Sequence, residues 1–225
     1  MIYSNIGTFF CNSEIFWTAA EVFSDMAEWS SIPKSVAKRL QDNLSGDLVQ
    51  QSYNSYLAGT VGIDAMTAVA SLVITLAEET KEDLLEYPTP QAAKVLGTML
   101  FLLKSDMSPL TFDFWEFFAL GCIEMGVRGH RRTEVCIQQA LTITIEKMYW
   151  RDDLDHDEWT AYRTDVVELL NALSRALKPD TLTTITTNYM KIAASKVEIQ
   201  EKVVVRSVAL RIKFISRSWK PSCFS

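Results

Sequence analysis

The densest run of side chains able to do chemistry is Asp152-Asp153-Leu154-Asp155-His156-Asp157-Glu158. Alternating carboxylates on a short loop are how proteins hold hard cations, and Asp153, Asp155 and Asp157 have the one-three-five spacing of a calcium loop. The pattern then breaks: Glu158 stands where the turn needs a glycine, and Thr164 stands where a bidentate glutamate should close the site. The run also falls short of the double-aspartate motif of all-helical prenyl-diphosphate enzymes, because His156 replaces the closing aspartate and no second acidic motif faces it. Two readings remain. The loop caps the following helix with carboxylates that complement its dipole, or Asp152, Asp153, Asp155, Asp157 and Glu158 bind a basic partner.

Other candidate constellations are weaker. His130 lies between Cys122 and Cys136, but the intervals fit no closed zinc pattern and a fourth ligand is missing. Arg128, His130, Arg131 and Arg132, with Gly126 and Gly129, make a basic turn that could hold a phosphate or an acidic peptide, or simply connect two helices in solvent. The only histidines are His130 and His156, and neither has a motif-bound serine or cysteine, so no nucleophilic triad is visible. The expectation is a protein without catalytic residues, metal or cofactor.

The elements that must position these residues are helical. Apolar residues recur at three-four-three spacing: Phe16, Ala19, Phe23, Met26; Met66, Val69, Val73, Leu76; Ala92, Val95, Met99, Leu102; Trp159, Tyr162, Val166, Leu169; Leu182, Ile185, Tyr189, Ile192; Val205, Val208, Ile212, Ile215. Strand alternation is absent. Pro33, Pro90 and Pro109 sit near first turns, and Gly46, Gly62 and Gly129 lie in connections. The spacing predicts helices over Glu14 to Trp29, Pro33 to Leu44, Asp47 to Leu57, Ile63 to Glu79, Pro90 to Lys104, Pro109 to Met125, Thr133 to Trp150, Asp157 to Leu177, Asp180 to Ala194 and Gln200 to Arg217. These make ten helices in five pairs, with an irregular tail over 218–225.

Corresponding helices begin near Ile63, Pro109, Asp157 and Gln200, a spacing of roughly 43 to 48 residues that matches the two-helix HEAT or armadillo range. The expected fold is an all-α solenoid of antiparallel helix pairs, one helical-repeat segment over 1–225, each pair burying its stripe against the next. Leu110, Phe114, Phe117, Phe118 and Met125 form an aromatic stripe that could be a peptide groove but is read as interior packing, as aromatics at helical spacing more often are, with Trp115 off the stripe sealing the adjoining repeat. Lys202, Arg206, Lys213 and Arg217 form a second, basic face on the last helix, solvated or open to acidic partners.

Composition narrows the partners. Nearly half the residues are apolar, enough to build a core without disulfides or a metal. The net charge of -6 argues against direct nucleic-acid binding, which needs a basic surface, and favours basic partners. Cys11, Cys122, Cys136 and Cys223 fall in no paired spacing and are expected as reduced thiols. Met1 to Phe10 lacks a basic leader region, and the apolar run Ala65 to Ala77 is too short to span a bilayer. The expectation is a soluble intracellular protein with no membrane partner.

The run Phe112-Asp113-Phe114-Trp115-Glu116-Phe117-Phe118, then a long helix, an acidic loop and Trp159-Thr160-Ala161-Tyr162-Arg163-Thr164-Asp165-Val166-Val167-Glu168-Leu169-Leu170 resembles the mid-region of a known family. That family is the importin-β superfamily of nuclear transport receptors, in its transportin-SR and importin-thirteen branch. There a phenylalanine-tryptophan pair opens one repeat, and an acidic stretch precedes a Phe/Tyr-Arg helix in the next. The resemblance extends over roughly Phe16 to Trp219, and its specific part is Phe112 to Leu177.

The resemblance implies a HEAT solenoid that grips basic cargo protein on its concave face, shuttles between cytoplasm and nucleus, and exchanges cargo when the GTP-bound small GTPase Ran binds. The chain is a fraction of a receptor's length and has no counterpart of the N-terminal repeats that chiefly bind Ran, so Ran binding is implied for a full-length receptor and not for this segment. The apolar tail Trp219-Lys220-Pro221-Ser222-Cys223-Phe224-Ser225 lacks a polar cap, which points to a fragment. Import is preferred over export. Two alternatives stay open: a helical-repeat adaptor unconnected to the nucleus, and an all-α prenyl-transferring enzyme using the acidic loop.

Overall fold

The computed structural model describes Thr18, Ala20, Val22 and residues 33–44, 47–86, 89–126, 131–148 and 155–196. Among the described residues it is all-helical, with no strand and nine α-helices that pack against one another. We number them α1 (Lys34–Leu44), α2 (Asp47–Leu57), α3 (Ile63–Glu79), α4 (Lys81–Glu86), α5 (Pro90–Lys104), α6 (Phe112–Glu124), α7 (Arg131–Glu146), α8 (His156–Ala176) and α9 (Pro179–Lys196). A 3-10 turn, Ser108–Thr111, leads into α6.

Local chemistry explains several boundaries. Thr89 caps α5 by accepting from Ala92 N at 3.0 Å, with Pro90 at the first turn where its missing N–H costs nothing. After α2 the chain turns back through Gly59, whose φ of 71° is open to glycine. There Gly59 N donates to Tyr56 O and Thr60 N to Ser55 O, a Schellman closure that satisfies two carbonyls at the helix end. Gly126, with φ of 67°, follows the end of α6, where its N donates to Ile123 O at 3.2 Å.

The principal contacts follow chain order. One series runs α1 to α3 to α5 to α7, a second runs α4 to α6 to α8, and α3 touches α6 between them. None of these principal contacts joins helices more than three places apart. The most extensive contact is α6 against α8. The buried residues form one continuous cluster from Ala20 through Leu177, with Leu182, Ile185 and Tyr189 of α9 half-buried against it.

The aromatic residues concentrate at the α6–α8 junction. Trp115 is fully buried, its ring edge-on to Phe114 at 5.4 Å and to Phe118 at 5.8 Å. Phe114 and Phe118 stack at 5.8 Å, and Tyr162 bridges Phe112 and Trp159 at 5.9 Å each. Trp159, Tyr162, Val166 and Leu169 are all buried, so the stripe read along α8 is the face turned inward.

Polar links fix the remaining elements. Lys147 Nζ donates to Ser105 O at 2.8 Å and to Lys104 O at 3.0 Å, placing a cation on the end of α5 where the dipole is negative. Glu134 of α7 accepts from Thr181 Oγ1 at 2.6 Å and pairs with Lys178 at 3.8 Å, which ties the α8–α9 corner back to α7.

Several sequence-based expectations are corrected. Lys81–Glu86 forms a helix that hydrophobic periodicity missed, so the simple succession of ten helices in five pairs does not hold. Its six residues carry two buried leucines, Leu84 and Leu85, among four charges, too short a stripe to register as a period. Pro109 lies in the 3-10 turn instead of opening α6, and α7 begins at Arg131 and ends at Glu146. The aromatic stripe is not wholly interior: Phe114 and Phe118 are buried, whereas Leu110, Phe117 and Met125 are exposed. Their positions place them around the helix from the α8 contact. The expected helix over Glu14 to Trp29 falls almost entirely outside the described residues, and that over Gln200 to Arg217 and the tail over 218–225 do so entirely.

Candidate functional site

The acidic run reaches the structure at the start of α8. Asp155 is the N-cap: its Oδ1 accepts from Asp157 N at 2.9 Å and from Glu158 N at 2.8 Å. Glu158 Oε2 in turn accepts from Asp155 N at 3.1 Å, completing a capping box that satisfies the free N–H groups of the first turn. Two of the five carboxylates are thus committed to the helix end, while Asp155, His156, Asp157 and Glu158 all remain exposed to solvent. Asp152 and Asp153 lie outside the described residues.

The cysteine and basic-turn expectations resolve in part. Cys122, buried in α6, and Cys136, half-buried in α7, are both free thiols. Burial, and secondarily the neighbouring Cys136, pushes the Cys122 thiol up to about 12, and burial also raises Cys136. Both are therefore held protonated near neutrality and are poor nucleophiles or metal ligands. His130, Arg128 and Gly129 lie outside the described residues. Among the described residues no group of three or more His, Cys, Asp or Glu side chains could hold a metal ion. No helix among them is long and apolar enough to cross a membrane.

A second surface includes Phe117, one of the stripe residues for which a peptide groove is the alternative to interior packing. Where α3 ends and α4 begins, Glu78 and Lys81 face the outer side of α6, which carries Asp113 and Phe117. The ammonium of Lys81 lies 5.5 Å from the centroid of the Phe117 ring, and that ring is 56 % exposed. Burial, and then the charge of Asp113, raises the Glu78 carboxyl above its usual range, with Lys81 opposing. Beside this patch, Glu82 and Asp83 of α4 pair with Lys34 at 2.8 Å and Lys38 at 3.7 Å, joining α4 to α1. The signal available in sequence was the position of Phe117, off the face shared by Phe114 and Phe118. The partner contacts come from α4, whose existence had no periodic signal.

A shallow groove opens between α2 and α5, lined by Gln50, Lys94, Gly97, Thr98 and Phe101. Gly97 leaves open space at its floor, and Tyr53 closes one side with its ring edge-on to Phe101 at 5.4 Å. Its walls hold no pair of groups suited to acid-base or nucleophilic work.

Comparison with known proteins finds no match: no family model, no curated protein and no solved structure aligns with the chain.

Proposed function

We propose that this chain is a non-enzymatic helical scaffold of the HEAT type, a segment of a nuclear transport receptor of the importin-β superfamily that binds basic cargo protein. The observation that carries the scaffold reading is the order of helix contacts, in which two series of alternate helices run side by side and principal contacts stay within three places along the chain. A stack of helix pairs generates this order because each pair contacts only its neighbours. The resemblance in Phe112 to Leu177 supports the receptor reading, since the two segments that carry it, around Trp115 and Trp159, are the two halves of the most extensive helix contact. The acidic balance supports a basic cargo.

In this reading the carboxylates at the head of α8 attract the cargo. Asp155 and Glu158 hold the helix start, and Asp152, Asp153 and Asp157 supply charge to the partner. An arginine-rich peptide is expected to bind with strong salt dependence, because exposed charges are screened beyond about 8 Å at physiological ionic strength. Replacing Asp152, Asp153 and Asp155 by asparagine should weaken that binding while the fold persists, since asparagine caps a helix about as well as aspartate. Fluorescence anisotropy with the labelled peptide measures this, and unchanged affinity in the triple variant would reduce the loop to a helix cap. The receptor reading has its own test: the genomic sequence flanking the reading frame should encode further helix pairs, and unrelated sequence on both sides would leave a generic helical adaptor.

A further inference from the structure

We propose that the surface formed by the end of α3, the start of α4 and the outer side of α6 docks an amphipathic basic segment of a partner protein. An arginine or lysine of that segment sits between Glu78, Asp113 and the ring of Phe117, and an adjoining aliphatic side chain covers Phe117 and Leu110. This surface is separate from the acidic loop of α8, so the inference goes beyond the function proposed above.

The argument begins with Phe117. Its neighbours Phe114, Trp115 and Phe118 are buried, yet Phe117 leaves more than half its surface in water, and Leu110, seven residues before it, is 38 % exposed. Asp113, four residues before Phe117, lies on the same side of α6 as that ring, and Leu110 stands in the 3-10 turn at the head of the helix. A single exposed apolar residue needs no explanation, but this one already performs recognition within the chain: the Lys81 ammonium lies over its face at 5.5 Å. The electron-rich face of a ring attracts cations, and most strongly when water is partly excluded.

Charge decides the partner. Glu78 is half-buried, and both its burial and the charge of Asp113 work against its ionised form. Among the described residues no cation lies within ion-pair distance of either carboxylate. Among the described residues, Lys81 is the cation that acts on Glu78 at longer range. Lys81 thus acts on both the Glu78 carboxyl and the Phe117 ring, while Asp113 adds negative charge at Glu78, which leaves the patch negative and apolar together. A cation delivered by a partner relieves the Glu78–Asp113 repulsion, and an aliphatic side chain beside it removes Phe117 and Leu110 from water. A second copy of the chain would bring its own negative patch, and an acidic or phosphorylated segment would be repelled.

The test uses the full chain and two synthetic peptides of equal charge, one alternating arginine with leucine and one alternating arginine with serine. Fluorescence anisotropy should show the arginine-leucine peptide binding at least about fivefold tighter, from cation–π and apolar contacts together. Phe117→Ser should erase that preference, and Glu78→Gln with Asp113→Asn should weaken both peptides. Lys81→Ala should tighten the arginine-leucine peptide, because it removes the internal cation that competes for the ring. Asp152→Asn with Asp153→Asn should leave the preference intact even if it lowers both affinities, which separates this surface from the α8 loop. No preference in the wild type, or a preference that survives Phe117→Ser, overturns the proposal. So does a wild-type dimer dispersed by Phe117→Ser, which would assign the surface to a second copy.

Discussion

Two helix junctions in this molecule do the same task with opposite chemistry. Where α6 meets α8, rings carry the contact: Phe112 meets Tyr162 across the junction, backed by Trp115, Phe114 and Phe118 within α6 and by Trp159 within α8. Where α1 meets α3, the aliphatic side chains of Ala37, Leu40 and Leu44 are joined by a buried amide. Gln41 Nε2 donates to Leu76 O at 2.6 Å and to the hydroxyl of Thr80. Leu76 is among the last four residues of α3, whose carbonyls have no partner within the helix. Thr80 Oγ1 also donates to Leu76 O, at 3.0 Å. The first junction gains its stability from apolar area. The second uses α1 to complete the hydrogen bonding of a helix end, and so fixes where along α3 the helix α1 must sit.

The largest break in this contrast should come from Trp115→Ala. Removing a fully buried indole leaves a cavity walled by Phe114 and Phe118, and the cost should be about 3 to 5 kcal/mol in urea denaturation. A loss under about 1 kcal/mol would mean that the aromatic junction is not where the stability resides. Gln41→Ala should cost less, about 1 to 3 kcal/mol, because the desolvated carbonyl of Leu76 keeps its bond from Thr80.

Alkali should sharpen the comparison through the buried thiol of α6. The folded Cys122 thiol is raised to about 12, so the folded state keeps a proton that the unfolded chain releases at the ordinary thiol value. Its contribution to stability is fully present below that ordinary value and is lost as pH rises toward 12. Melting temperature followed from pH 8 upward should therefore fall less steeply in Cys122→Ala than in the wild type, relative to each variant's own value at pH 8. The smallest effect is expected from Lys34→Ala, which removes the exposed pair with Glu82 at 2.8 Å. Both side chains are about two-thirds exposed, and the melting temperature should hardly move.

The contrast also marks what was legible in the sequence. The all-helical character and five helices with both ends near their observed limits could be read, because long stripes such as Trp159, Tyr162, Val166 and Leu169 report the buried face directly. Gln41 could not be read, since a glutamine among Lys38, Arg39 and Asp42 looks like solvated surface until its acceptor on another helix is known. Helix α4 was hidden for a related reason: Lys81-Glu82-Asp83 and Glu86 surround only two leucines. The exposed ring of Phe117 departs from the interior reading, which rests on aromatics at helical spacing normally facing a core, and the cation over its face, Lys81, belongs to the helix without a periodic signal. Capping by the acidic loop could be read from its carboxylates beside the helix start, and the structure assigns it to Asp155 and Glu158 through two reciprocal bonds.

In the proposed scaffold reading the helices propagate as a two-series stack with an extended surface, instead of closing into a compact bundle. Small-angle X-ray scattering of the monomer tests it directly. A compact domain of this length has a radius of gyration of about 17 Å. The stack predicts a value clearly above that, with a distance distribution skewed to long vectors, whereas a symmetric distribution at about 17 Å would contradict it.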